Sequence, residues 1–102
     1  MRRTDITQRI KKGFSSLPFD IEVWLYGSEA RGDAHPDSDI DLLILFNQRE
    51  VSHQDEIRLY DVTYPIELDT GVPISLFILP KHQWEAQMTP FRDNVLTDRI
   101  RL

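Results

Sequence analysis

The chain has no cysteine. Disulfides, thiolate catalysis and cysteine-ligated zinc are thereby excluded. It also lacks a long apolar run. The longest uninterrupted one, Leu42 to Phe46, falls far short of the ~20 residues that span a bilayer. The N-terminal stretch MRRTDITQRIKKGF has no apolar segment of the secretory kind, so a cytoplasmic protein with no membrane association is expected. Basic excess is missing too. A net charge of −5 argues against a sequence-independent nucleic-acid binder, which carries a basic stripe. A nucleotide substrate stays compatible with that charge, because a bound cation offsets carboxylates locally. No internal repeat or low-complexity tract interrupts the sequence.

What is present is ordinary globular material. Hydrophobic residues make up 40% and charged residues 28% of 102 residues, enough for one domain, 1–102, with one core. Thr4 to Lys12 reads as a short helix capped by Thr4 or Asp5 and ended by Gly13. Ile21 to Tyr26 alternates as a strand, with Ile21, Val23 and Leu25 on one face and Glu22, Trp24 and Tyr26 on the other. Gly27 and Ser28 break it, and Glu29 to Gly32 forms one helical turn. Asp39 to Phe46 is a second strand. Ser52 to Thr70 fits a helix whose face is Ile57, Tyr60, Tyr64 and Leu68, kinked or restarted near Pro65 and ended by Gly71. Ile74 to Leu79 is a third strand stopped by Pro80. Thr89 and Pro90 open a last helix with Phe91, Val95 and Leu96 inward. The order implies a small mixed sheet flanked by helices, an α/β (α+β) fold.

Two aspartates stand out. Residues two apart in a strand point to the same face, so Asp39 and Asp41 project together, about 7 Å apart at the backbone. Two carboxylates this close raise each other's pKa unless a cation sits between them, and hard ions such as Mg²⁺ are the usual solution. The competing reading is a pair of solvated residues that start a strand after a turn. Upstream, Gly27 and Ser28 end one strand and open a short helix. Free backbone N–H groups and a hydroxyl there make an anion site, and the absent Cβ of Gly27 lets a phosphate approach. The competing reading is a tight turn with Ser28 as its cap. Ser28 lacks the surroundings of an acyl-transfer nucleophile. His35, His53 and His82 are scattered and read as surface residues.

The pattern GSEARGDAHPDSDIDLLI, with Gly27-Ser28, Arg31-Gly32 and Ser38-Asp39-Ile40-Asp41 in order, resembles the nucleotidyltransferase superfamily that includes DNA polymerase beta. More closely it is similar to the minimal nucleotidyltransferases, small proteins often paired with a HEPN-domain partner. Thr89-Pro90-Phe91 and Asn94-Val95 resemble that family's tail.

The resemblance implies the nucleotidyltransferase fold and Mg²⁺-dependent transfer of a nucleoside monophosphate, often AMP from ATP, to a hydroxyl of a protein or small-molecule acceptor. It implies that Gly27 and Ser28 hold the triphosphate and that Asp39 and Asp41 bind Mg²⁺ and are catalytic. Arg31 orients phosphates by the same resemblance, or else forms a surface ion pair with Glu29 or Asp33. The family's third carboxylate, from a neighbouring strand, falls at Ser75. Glu67, Asp69 and Glu22 are the candidate replacements. A second implied role is a catalytically weak or inactive module that serves as antitoxin to a HEPN-type protein. The oligomeric state, homo-oligomers included, is left open.

Overall fold

The computed structural model describes residues 3–102. Its elements are α1 (Thr4–Ser15), β1 (Ile21–Tyr26), α2 (Gly27–Arg31), β2 (Ile40–Phe46), α3 (His53–Thr70), β3 (Ile74–Pro80), α4 (Lys81–Ala86), α5 (Pro90–Asp98) and β4 (Ile100–Arg101). The sheet runs β3-β2-β1-β4. β1 pairs antiparallel with β2 and with β4, and β2 pairs parallel with β3. The expected mixed sheet with helices is therefore the fold.

Period-two alternation separates two layers. Ile40, Leu42, Ile44 and Phe46 join Val23, Leu25 and Ile74 under α1 and α3, where Ile6, Ile10, Phe14, Leu59 and Ile66 cover them. Leu43 and Leu45 face the other way, with Trp24, Tyr26 and Leu79, and meet Trp84 of α4 and Val95 of α5. β2 is apolar on both faces because both are covered. Among the described residues no helix is long and apolar enough to cross a membrane.

Several expectations need correction. α1 continues past Gly13 to Ser15, and its N-cap is Arg3 with no side-chain cap. Gly13 lies inside the helix because a Cβ there would run into Val62 Cγ1 of α3, so the glycine serves helix–helix approach. α3 runs through Pro65 without a restart and ends at Gly71 in the left-handed conformation. Its inward face is Leu59, Thr63 and Ile66; Ile57, Tyr60, Tyr64 and Leu68 are the exposed ones. β2 begins at Ile40, one residue after Asp39. The Thr89 hydroxyl accepts from Arg92 N–H, with Pro90 at the first helical position. Val95 is buried there, while Phe91 and Leu96 stay partly exposed. α4 and β4 were not expected. Pro80 reads as a stop but serves as the N-cap of α4.

Candidate nucleotide and metal site

The strand alternation that buries Leu43 and Leu45 carries Asp41 to the open end of the same face. Tyr26 lies opposite Asp41 on β1, and Ser75 lies opposite it on β3. Gly27 follows Tyr26 with φ +73, and a Cβ built on it would sit 2.6 Å from Asp41 Oδ2. The Gly-Ser turn and the aspartates therefore meet in one place. Asp41 is half-buried and Asp39 exposed. Burial pushes the Asp41 carboxyl above its ordinary value, the Asp39 charge pushes it further, and Arg31 acts against both. Tyr26 is raised likewise, by burial and then by Asp41.

α2 begins at Gly27 itself, after Tyr26, with no side-chain cap. Ser28 is thus inside the helix and is not its cap, which corrects the turn-cap reading. Its carbonyl closes the helix by accepting from the N–H groups of Gly32 and Asp33. The first N–H groups of a helix have no intrahelical partner, and these open next to Asp41.

Arg31 pairs at the surface with Asp98 at 3.2 Å and Asp33 at 3.3 Å. Asp33 was one of the expected partners. Glu29 was the other, and it is instead buried against Arg3, with Nε to Oε1 at 2.7 Å. The Arg3 backbone N–H also donates to Glu29 Oε2. The Arg3 guanidinium then donates to the carbonyls of Ser38 at 2.7 Å, Pro36 at 3.3 Å and Asp39 at 3.5 Å. This buried pair fixes the loop that delivers Asp39. Sequence reasoning missed both residues. Glu29 within GSEAR reads as solvated, and no local pattern links residue 3 to residues 36–39.

The candidate third carboxylates are elsewhere. Glu67 and Asp69 belong to α3, which covers the opposite face of the sheet, and Asp69 pairs with Arg9 at 2.6 Å. Glu22 shares the Asp41 face but lies opposite Leu45, four residues along β2, or about 13 Å. It is held by Lys81 and Arg101. Ser75 is the neighbour of Asp41, and among the described residues no group of three His, Asp or Glu side chains is arranged to hold a metal. The oxygen-only pair of Asp39 and Asp41 suits a hard divalent ion that takes its other ligands from phosphate and water. His53 and His82 are engaged elsewhere, and His35 is exposed on the loop before Asp39. The His35 backbone N–H donates to Ser38 Oγ, the His53 ring stands near Glu56, and the His82 ring bonds the Arg49 carbonyl.

Comparisons with known proteins agree with this fold. The nucleotidyltransferase domain family model matches residues 7–101. No curated protein matches the sequence. Among solved structures, one assigned as a minimal nucleotidyltransferase is 25% identical, with TM-score 0.63, over 100% of this chain and 97% of its own. One from Sulfolobus solfataricus, assigned as a nucleotidyltransferase, is 22% identical, with TM-score 0.54, over 95% of this chain and 76% of its own. A toxin–antitoxin structure with AMP-PNP is 16% identical, with TM-score 0.61, over 97% of this chain and 71% of its own. The chain belongs to the nucleotidyltransferase domain family.

Proposed function

We propose that this nucleotidyltransferase-family chain transfers AMP from ATP to a hydroxyl of a protein or small-molecule acceptor, with Mg²⁺ held by Asp39 and Asp41. The observation that carries the reading is the close approach of the Asp41 carboxylate to Gly27, where a Cβ would collide with it; it supports reading the phosphate turn and the carboxylate pair as one site. The triphosphate complex in the similar toxin–antitoxin structure supports the choice of nucleotide.

The reaction is an in-line displacement. The acceptor oxygen forms a bond to the α-phosphorus, the bond to pyrophosphate breaks, and the hydroxyl proton leaves. Mg²⁺, when bound there, would supply Lewis-acid stabilisation to the phosphoryl group in transfer. The chain's own part is positioning. Backbone N–H groups of Gly27 and Ser28 grip phosphate oxygens, and Arg31, at the far side of α2, adds positive potential. Asp39 and Asp41 are the residues that would hold the ion. Ser75 has a hydroxyl where a carboxylate would accept the proton, so turnover is slow.

Calorimetric titration of ATP with and without Mg²⁺ tests this. Wild type binds in a Mg²⁺-dependent manner, and the Asp39→Asn, Asp41→Asn double variant does not. A well-folded wild type that binds no triphosphate, or a double variant that binds as well, sinks the reading.

Ser75 also supports a second reading. The chain is then a non-catalytic antitoxin that controls a HEPN-type partner by contact, as a member of a toxin–antitoxin pair like those of similar fold. The exposed stripe of Ile57, Tyr60, Tyr64 and Leu68 on α3 gives such a partner an apolar face. Nucleotide binding without any transfer of α-labelled phosphate, in the presence of the partner, favours this reading.

A further inference from the structure

The sheet face that carries Asp41 continues into a second depression of about 300 Å³, lined by Trp24, Trp84, Lys81, Arg92 and Arg99. Two acids, Glu22 and Glu85, also line it. Cations gathered in one cleft of a protein of net charge −5 call for a cause. Glu22 is already engaged, by Lys81 Nζ at 2.6 Å and by Arg101 at 3.5 Å. Arg92 belongs to α5, Arg99 is the extended residue that follows its last turn, and both line the cleft. Among the described residues neither forms an ion pair.

Each instead lies on a ring. Arg99 Cζ is 4.1 Å from the Trp24 centroid, and Arg92 Cζ is 5.9 Å from the Trp84 centroid. A π face engages the plane of a guanidinium and leaves its N–H rim available for acceptors. Among the described residues, Arg92 Nε is buried with no hydrogen-bond partner. Such a donor is costly until an acceptor reaches it, and an anionic oxygen is the strongest acceptor for it. Guanidinium forks suit phosphate oxygens, and two of them line this one cleft.

We propose that this cleft binds the phosphate of a phosphorylated small molecule, with Arg92 and Arg99 as its ligands and Trp24 and Trp84 as its walls. Trp24 lies opposite Leu43, two residues from Asp41, or about 7 Å along the strand. A phosphomonoester anchored there presents its sugar or alcohol hydroxyls towards Asp41. Phosphate binding stands on the cleft itself; the assignment of that molecule as the acceptor rests on the nucleotidyl-transfer reading.

The chain's two tryptophans both line the cleft, so intrinsic fluorescence reports on it directly. Inorganic phosphate, ribose 5-phosphate and a short single-stranded RNA are titrated without Mg²⁺. Inorganic phosphate and ribose 5-phosphate both give a saturable change. The Arg92→Gln, Arg99→Gln variant weakens it by roughly tenfold or more, while the Asp39→Asn, Asp41→Asn variant leaves it intact. Should the double glutamine variant unfold, Arg99→Lys, which keeps the charge but loses the fork, weakens binding in its place. No saturable response in wild type, or unchanged affinity in folded arginine variants, overturns the site. RNA that binds more tightly than either small probe overturns the small-molecule assignment. Loss of Mg²⁺-triphosphate binding with cleft binding retained sinks the transfer reading and spares this one, and the converse holds.

Discussion

Gly27 is the residue whose side chain, had it one, would meet the Asp41 carboxylate. With φ +73 it also holds a conformation that costs other residues about 1–3 kcal/mol. Gly27→Ala is therefore expected to destabilise the fold by that amount in urea unfolding. It is also expected to weaken Mg²⁺-triphosphate binding by roughly tenfold or more, because Asp41 must move. A variant that keeps wild-type affinity would show that the turn and the carboxylate work separately. Ser75 poses the complementary question. Ser75→Asp places a third carboxylate beside Asp41 on the open end of the sheet. Without metal, like charges across a ladder lower stability by up to about 1 kcal/mol. Mg²⁺ is expected to restore that loss, and AMP transfer is expected to rise by roughly 100-fold, the scale of a positioned general base. Thermal unfolding with and without Mg²⁺, and α-phosphate transfer to the acceptor, check the two halves.

At the scale of the element, α3 shows how a helix can present two candidate faces. Leu59, Thr63 and Ile66 are buried, but Thr63 makes this face read as mixed. The outer stripe is richer in large apolar groups, yet Tyr64 is 61% and Leu68 68% exposed. Neighbouring α1 and the sheet decide the orientation: α1 approaches closely through Gly13 and Val62. Leu59→Ala is expected to cost about 2–5 kcal/mol, while Leu68→Lys stays within about 0.5 kcal/mol. Comparable losses in chemical denaturation would mean that the helix is turned the other way. α4 escaped notice for a related reason. KHQWEA is too short and too polar for a periodic signal, and its one anchor, Trp84, finds its place against Leu43 and Leu45 of the distant β2.

Across the whole molecule, the outer layer is fastened to the sheet through Glu22, which links β1 to Lys81 of α4 and Arg101 of β4. The hydrogen bond from Lys81 is the main cause that holds the Glu22 carboxyl below its ordinary value of 4.5. A carboxyl lowered in the folded state binds fewer protons there than in the unfolded chain. Its stabilisation is present above the unfolded value and disappears as pH falls through the folded one. Unfolding measured from pH 7 down to pH 3 is expected to show an acid loss that begins near 4.5. Glu22→Gln is expected to be less stable at pH 7 and to have a flatter acid limb. Parallel pH profiles for the two proteins would remove Glu22 from this role.

The sequence by itself determined the three main strands, the last helix with its Thr89-Pro90 start, and the family, because each is written in neighbouring residues: alternation, caps, and the glycine and aspartate spacing. It also set Asp39 and Asp41 close together in the chain, although β2 begins only at Ile40, after Asp39. Tertiary structure decided what depends on distant partners. The Arg3–Glu29 pair reaches across the fold to set the loop before Asp39. Ser75 became the neighbour of Asp41 through parallel pairing of β2 with β3, and Glu67 and Asp69 were carried to the opposite face. Local pattern fixes which way a side chain points along its own element; which other element it meets is fixed only when the layers pack.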